Sequence, residues 1–476
     1  MQIKMMHPQV MHRITISWFW LVVHLLGGLE AQELRTQEAQ RISIDEAVAL
    51  GLKQNLSLAN AQQDLATKRR KADTAWNVFI PTVDVSGTLA RANEAATVTA
   101  LVPTSPVGSP PVGYAVMPIS RELPQWSLST RLSASLTLNV ALFEGIRNVR
   151  LEYENGRLSY EKARAQIERD IRKSYLQILL LKENIGLLRE NLAAAERRLI
   201  TARENYRSGL VPELSVLQAQ VAVENLKPTI QEMENSLAIA IESMAMNLGL
   251  PHGTRLDLEP VSLPGPVDLE MEALIVQALS GKPDLEELQR SILLLQSTRR
   301  ANFYQLYTPS LSLGWSFDPT FQGDPLADNW FDGNSWKQRS GMFTLTLAWR
   351  LNSLFPLSRE ALGLADLDDT LGKLHTNLAI AVRGTETEVY SIVLRLQKSQ
   401  QSLGALQLNV NLAQRAYRMT EDAYRAGLKD VMEITNAELD LRKAQLEVLK
   451  EQYTYMTGLL DLEYTIGVPF GTLTRR

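Results

Sequence analysis

The sequence predicts a mainly α-helical chain with a small membrane β-barrel portion, built as one plan used twice. Three observations predict it: a repeat at a constant offset of 218 residues, long apolar stripes at coiled-coil spacing, and short runs that alternate apolar with hydroxyl or small residues. With 476 residues, 45% of them hydrophobic and 21% charged, the composition is that of an ordered protein.

At the N-terminus, Lys4 and Arg13 precede the apolar run ITISWFWLVVHLL, and small Ala31 follows Leu29 and Glu30. This is the pattern of a secretory signal peptide over residues 1–31. The run is about 13 residues, short of the roughly 20 that a spanning helix needs. No later segment holds 18 unbroken apolar residues. A formal charge of −4 is too mild for a polyanion-binding surface, which argues against nucleic acid as a partner. The lack of cysteine excludes disulfides, thiolate metal sites, a cysteine nucleophile and a lipid-modified N-terminal cysteine.

The repeat is read from YRSGLVPELSVLQAQ, starting at Tyr206, against YRAGLKDVMEITNAE, starting at Tyr424. Asn191 meets Asn409, Ala195 meets Ala413, and Gly249-Leu250-Pro251 meets Gly467-Val468-Pro469 in the same register. A gapless match through two glycine turns marks a duplication, with copies at 42–257 and 269–471 joined by a proline-rich linker, 258–268.

Each copy opens with an approach helix, expected over Ser43 to Val78 and Glu270 to Tyr307. Strand pairs follow, near Pro81 to Arg91 and Leu128 to Phe143, then near Pro309 to Phe317 and Met342 to Leu351. Alternation carries these assignments, as in Leu132, Ala134, Leu136, Leu138, Val140 and Leu142, so each strand has one greasy face. Residues 92–127, rich in proline (Pro103, Pro106, Pro110, Pro111, Pro118, Pro124), are expected to form an exposed loop. So are 318–341, with Asp318, Asp324, Asp328, Asp332, Trp330 and Trp336, whose spacing does not match a calcium loop. All six tryptophans beyond the leader lie in or beside strand segments, the placement of a membrane-interface belt.

Long helical hairpins complete each copy. Leu181, Ile185, Leu188, Leu192, Ala195, Leu199 and Ala202 recur at steps of three and four, as do Leu403, Leu406, Val410, Ala413, Tyr417, Thr420 and Tyr424. Outgoing helices are expected from Gly145 to Ser208 and from Ser358 to Ala426, roughly 95–100 Å each. Gly209 and Gly427 mark the reversals, and Pro228 is expected to kink the first return helix.

Four strands with an apolar face leave unpaired edges in lipid, so closure requires several chains. Two copies give eight strands and a filled interior; three give twelve and a wider one. Only His252 and His375 lie outside the leader, neither in a triad or metal pattern, and no phosphate-cradling glycine loop appears. Catalytic residues, metal ligands and cofactors are therefore not expected.

The signal peptide, the duplicated plan, the tip motifs YRSGL and YRAGL, and the closing LGLP and IGVP resemble the TolC-like outer membrane efflux protein family across nearly the whole chain beyond the leader. That resemblance implies a homotrimer with a twelve-stranded barrel and a periplasmic α-barrel. It implies docking to a periplasmic adaptor and an inner-membrane transporter, and a passive exit duct for efflux or type I secretion. It also places polar links of a closed mouth at Tyr424 and Lys429, with Lys where the family has Arg. Glu433 and Asn436 would face the pore, and Ser215 would be the corresponding position in the first tip. Asn436 stands where the family often has an acid, so a single acidic ring with weaker cation selectivity is expected. Adaptor docking would use Tyr206, Arg207, Gly209 and Leu210 with Tyr424, Arg425, Gly427 and Leu428. The competing reading is an exported periplasmic coiled-coil scaffold or adaptor without a pore, whose strands form a small soluble domain.

Overall fold

The computed structural model describes residues 40–473 apart from 95–96, 106–107, 109, 111–112, 123–124, 325 and 327–339. The expected leader lies outside the described residues, as do Pro106, Pro111, Pro124, Asp328, Asp332, Trp330 and Trp336. The chain divides into two compact units: Met1–Asn55, Asp170–Leu263 and Leu406–Tyr453 form one, and Leu56–Arg169, Pro264–Ala405 and Thr454–Arg476 the other.

In chain order the elements begin with β1 (Gln40–Ile42), α1 (Ile44–Gln54), α2 (Leu56–Asp73), β2 (Thr82–Arg91), β3 (Thr97–Pro103), β4 (Tyr114–Glu122) and β5 (Trp126–Leu138). Next come the long helix α3 (Ala141–Arg207), its return α4 (Glu213–Asn247), and β6 (Leu256–Leu258). The second copy supplies α5 (Met271–Gly281), α6 (Pro283–Tyr307), β7 (Ser310–Phe317), β8 (Thr320–Gln322), β9 (Gly341–Ala348), α7 (Arg359–Arg425) and α8 (Val431–Ile466). The two outgoing helices have 67 residues each, roughly 100 Å at 1.5 Å per residue.

Both expected approach helices are split in two. Pro283 forces the residue before it out of the α region, and Lys282 accordingly sits at φ −70°, ψ 120°. The first break, at Asn55, is held by its side-chain amide, which donates to the Asn247 carbonyl at 2.7 Å. The strand expected to reach Phe143 ends at Leu138, because the Asn139 side chain accepts from the Leu142 N–H at 3.1 Å and starts α3. Within 92–127, expected to be a loop, the described residues form two paired antiparallel strands, β3 against β4. Among the described residues β3 and β4 pair only with each other, and an edge strand tolerates the missing donors of Pro103 and Pro118. The 318–341 stretch likewise contributes β8, which pairs with the start of β5. At Pro228 the return helix α4 continues as one element.

In the first unit, β1 and β6 pair in parallel, and the fully buried Tyr175 hydroxyl lies 2.9 Å from the Ile42 carbonyl and 2.8 Å from that of Glu259. Ser43 and Glu46 form a capping box on α1. In the second unit, Val389, Val393 and Leu396 of α7 pack with Leu459, Leu462 and Ile466 of α8 and with Leu274 and Ala278 of α5. The buried Glu463 carboxylate accepts the N–H groups of Gly471 and Leu473 at 2.9 Å and so anchors the end of the chain.

Candidate functional site

The sheet of the second unit runs β2-β5-β7-β9, antiparallel throughout, with β8 beside β5. Its register sorts the side chains into two faces. Val83, Ala134, Trp315 and Phe343 form one cross-strand row, Leu136, Leu313 and Leu345 the next, and Leu138, Leu311 and Leu347 another. The opposite face carries Thr82, Ser135, Gly314 and Thr344 in one row and Thr137, Ser312 and Thr346 in another. Hydroxyls pair across strands there, Thr82 with Ser135 at 2.8 Å and Thr137 with Ser312 at 3.1 Å. The apolar face is bare: Val85 is 79% exposed, Phe343 67% and Leu347 71%. An uncovered apolar sheet face marks a contact with another apolar phase. Strands β2 and β9 end the sheet, each paired on one side only among the described residues.

The hairpin tips belong to the first unit. Gly209 at φ 72° and Gly427 at φ 75° adopt the left-handed conformation the sequence assigns them. The Leu210 N–H donates to the Asn205 carbonyl at 2.8 Å and the Leu428 N–H to that of Ala423 at 2.9 Å, which closes each helix in the same way. Leu210, Leu428, Arg207 and Arg425 are exposed, as is Tyr206, whereas Tyr424 is half-buried against the cluster of Ala195, Leu199, Ala202, Ala219, Val223 and Val431. Burial pushes the Tyr424 phenol above its ordinary value, against the pull of Arg198.

Of the expected mouth residues, Lys429 and Glu433 meet each other, with Nζ 2.8 Å from Oε1, one turn apart at the start of α8. Asp430 caps that start by accepting the Glu433 N–H at 2.9 Å. The second Glu433 oxygen, Oε2, makes no hydrogen bond. Asn436 is exposed one turn further on, and Ser215 is half-buried in the first turn of α4. The Lys429 bond stays within the second tip, running from the turn to the first turn of α8.

The contact that joins the two hairpins was missed in the sequence. Arg198 of α3 pairs with Glu438 of α8, both side chains 10% exposed, and Arg198 also reaches the Tyr417 hydroxyl of α7 at 3.5 Å. Val431, Ile434, Glu438 and Leu441 are all buried, so a glutamate occupies the apolar seam of α8. Burial pushes the Glu438 carboxyl up, opposed by Arg198. It also pushes the Arg442 guanidinium down, opposed by Glu438. The seam read as Ile434, Ala437, Leu441 steps past this position, although Glu438 lies four residues after Ile434 and three before Leu441.

Among the described residues no three His, Cys, Asp or Glu side chains gather as a metal site, and no helix is long and apolar enough to cross a membrane.

Residues 48–250 match the family model described as outer membrane efflux protein. A comparison with curated proteins finds no match. Among solved structures, the chain is similar to CusC, described for its folding and transmembrane channel formation, at 16% identity over 92% of this chain and 96% of that one, with a TM-score of 0.69. It is similar to the CmeC outer membrane channel of Campylobacter jejuni at 15% identity over 89% and 85%, with a TM-score of 0.70. The outer membrane protein VceC of Vibrio cholerae matches at 15% identity over 90% and 96%, with a TM-score of 0.64. At these identities the likeness carries the fold.

Proposed function

We infer that the chain is a TolC-like outer membrane efflux protein, the channel of a tripartite efflux or type I secretion system and a passive exit duct for cargo. The observation that carries this reading is the two-faced sheet: an apolar side without cover and a hydroxyl side suited to water. In lipid every backbone group must be paired, so the edges of β2 and β9 require partner strands. Three chains of four long strands supply a closed twelve-stranded barrel, wide enough to leave an aqueous interior. The apolar face then meets acyl chains of the outer membrane, and the long helices extend into the periplasm.

The repeats over 42–257 and 269–471, with 258–268 between them, are two halves of one duct wall in each chain. The tips would meet a periplasmic adaptor through Tyr206, Arg207, Gly209 and Leu210 and through Tyr424, Arg425, Gly427 and Leu428. An inner-membrane transporter would choose and energise the cargo. Glu433 would stand at the mouth as the single acidic ring, with Lys429 as its counter-charge and Asn436 and Ser215 as neutral positions. No catalytic role is assigned to any residue.

Purified full-length protein in planar bilayers tests the reading: discrete conductance steps are expected, together with a detergent requirement and a heat-resistant oligomer. A monomer soluble without detergent, silent in the bilayer, would support the pore-less scaffold instead.

A further inference from the structure

We propose that β3 and β4 form an apolar ribbon whose two faces pack against the same ribbon in two sister chains, so that three copies make a plug over the outer end of the duct. The inference rests on the channel reading, which supplies the sister chains; the ribbon itself supplies the reason for the contact.

The chain enters the ribbon from the end of β2 and leaves it at the start of β5, the end of the sheet away from α3. With the helices in the periplasm, that end faces outward. Pairing of β2 with β5 carries on to the Ala92 N–H, which donates to the Gln125 carbonyl at 2.8 Å. The ribbon thus grows from an edge strand that itself needs a neighbouring chain.

Composition sets this stretch apart from ordinary surface. No charged residue stands between Glu94 and Arg121, whereas the stretch at the same place in the second copy carries Asp318, Asp324, Asp328 and Asp332. In the register of the pair, Leu101 lies opposite Val116 on one face, with Tyr114 beside it, while Val102 and Met117 belong to the other face. All are exposed, Leu101 to 68% and Val116 to 66%. An antiparallel pair in water ordinarily keeps one face polar, and here both faces carry bare apolar side chains.

Two bare faces select the occupant. One flat partner would cover one face and leave the other in water. Immersion in lipid would cover both, but would leave the outer edges of β3 and β4 unpaired in hydrocarbon. Around a threefold axis each ribbon has two neighbours, and one face laid on the opposite face of the next closes a ring in which no face is left bare. Identical charges brought to one axis would repel, and the run without charge removes that cost. The same property makes the plug a barrier to ions, because an apolar constriction sheds water.

The chain has no cysteine, so introduced thiols have no background. Leu101→Cys and Met117→Cys put one thiol on each face, where they cannot meet within one ribbon. The full-length double variant, reconstituted in vesicles, is oxidised with copper–phenanthroline and run denatured without reductant. A covalent trimer is expected from it, and only monomer from either single variant. Dimers from the single variants would place like against like and overturn the arrangement. Thiols that stay unlinked in the double variant overturn the plug: sheltered from a water-soluble maleimide they place the ribbon in lipid, and reactive they leave it open to another protein. If the double variant does not assemble as a heat-resistant oligomer, Leu101→Asp with Val116→Asp decides. Its triplicated charges part the ribbons, so single-channel conductance is expected to rise by about twofold or more, and wild-type conductance overturns the plug. Failure of the channel reading is told apart by the wild-type protein, which would then show neither heat-resistant oligomer nor conductance; both present with unlinked thiols sinks the plug alone.

Discussion

Gly467 lies so close to the carbonyl oxygen of Gly281 that a Cβ on it would stand 2.2 Å from that oxygen. Its φ of 72° already disfavours any other residue. Gly249 stands in the same relation to Gln54, with 2.3 Å to the carbonyl oxygen, so both copies end their return helices on the broken end of their own approach helix.

Gly467→Ala and Gly249→Ala are therefore expected to destabilise by more than the roughly 1–2 kcal/mol that a left-handed alanine costs alone. Gly209→Ala and Gly427→Ala have nothing within 4 Å of the added carbon and are expected to cost only that backbone share. The temperature at which the oligomer dissociates orders the four variants, and equal losses in all would contradict the close approach.

The two-faced sheet predicts opposite outcomes for neighbouring residues. Leu345 is 62% exposed in the single chain, so in water an arginine there would be harmless. In a bilayer it is expected to cost about 2–4 kcal/mol near mid-depth and to block insertion. Thr346→Arg, on the hydroxyl face, is expected to insert normally. Recovery of each variant from vesicles after a urea wash reads the difference.

Much of this architecture was legible because periodicity survives without knowledge of the partner surface. The 67-residue helices end within one residue of the expected C-termini, where Gly209 and Gly427 take the left-handed conformation that closes a helix at little cost. Strand faces followed from alternation, since a slip of one residue would turn every leucine of β5 to the wrong side. Pro283 announced the break at Lys282, but it was absorbed into a longer helical pattern. The Asn55 break depends on a partner 192 residues away, which no local pattern reveals. The β3–β4 hairpin was hidden by proline, which signals a loop in a central strand but is tolerated at a free edge. The Arg198–Glu438 pair escaped because a charge in a seam reads as an interruption of the stripe until its counter-charge, 240 residues away, is placed beside it.

Acid stability is expected to depend on Glu287. Its carboxylate accepts from Lys162 and Ser159, each at 2.9 Å, and Lys162 also contacts Asp284 at 2.5 Å. Burial pushes the Glu287 carboxyl up, but the bonds from Lys162 and Ser159 outweigh it and hold the group below the ordinary carboxylate value. A group depressed on folding adds stability that is present above its unfolded pKa and lost as pH falls through the folded one. The wild-type oligomer should thus hold its dissociation temperature down to the ordinary glutamate range and weaken below it. In Glu287→Gln the temperature should be lower near neutrality by the equivalent of about 1 kcal/mol, with a shallower acid decline. An unchanged acid profile would remove this pair from the account.

The charge of the proposed mouth would rest on the Lys429–Glu433 contact of 2.8 Å. Both side chains are nearly half exposed, so the pair contributes little to stability, and neither Lys429→Met nor Glu433→Gln should move the dissociation temperature. Their effect on permeation is expected to be opposite in sign. In the proposed trimer three carboxylates would approach one axis, each with the Lys429 cation in the tip turn just before its helix, so the local field would nearly cancel. Lys429→Met removes the cation alone and should raise the cation-to-anion permeability ratio by about twofold or more, read as the reversal potential in a salt gradient. Glu433→Gln leaves the cation alone and should lower that ratio. Raising ionic strength should shrink both shifts, because exposed charges are screened over roughly 8–10 Å. If neither substitution moves the reversal potential, Glu433 is a solvated helix residue away from the path of the ions, and the narrow point of the duct lies elsewhere.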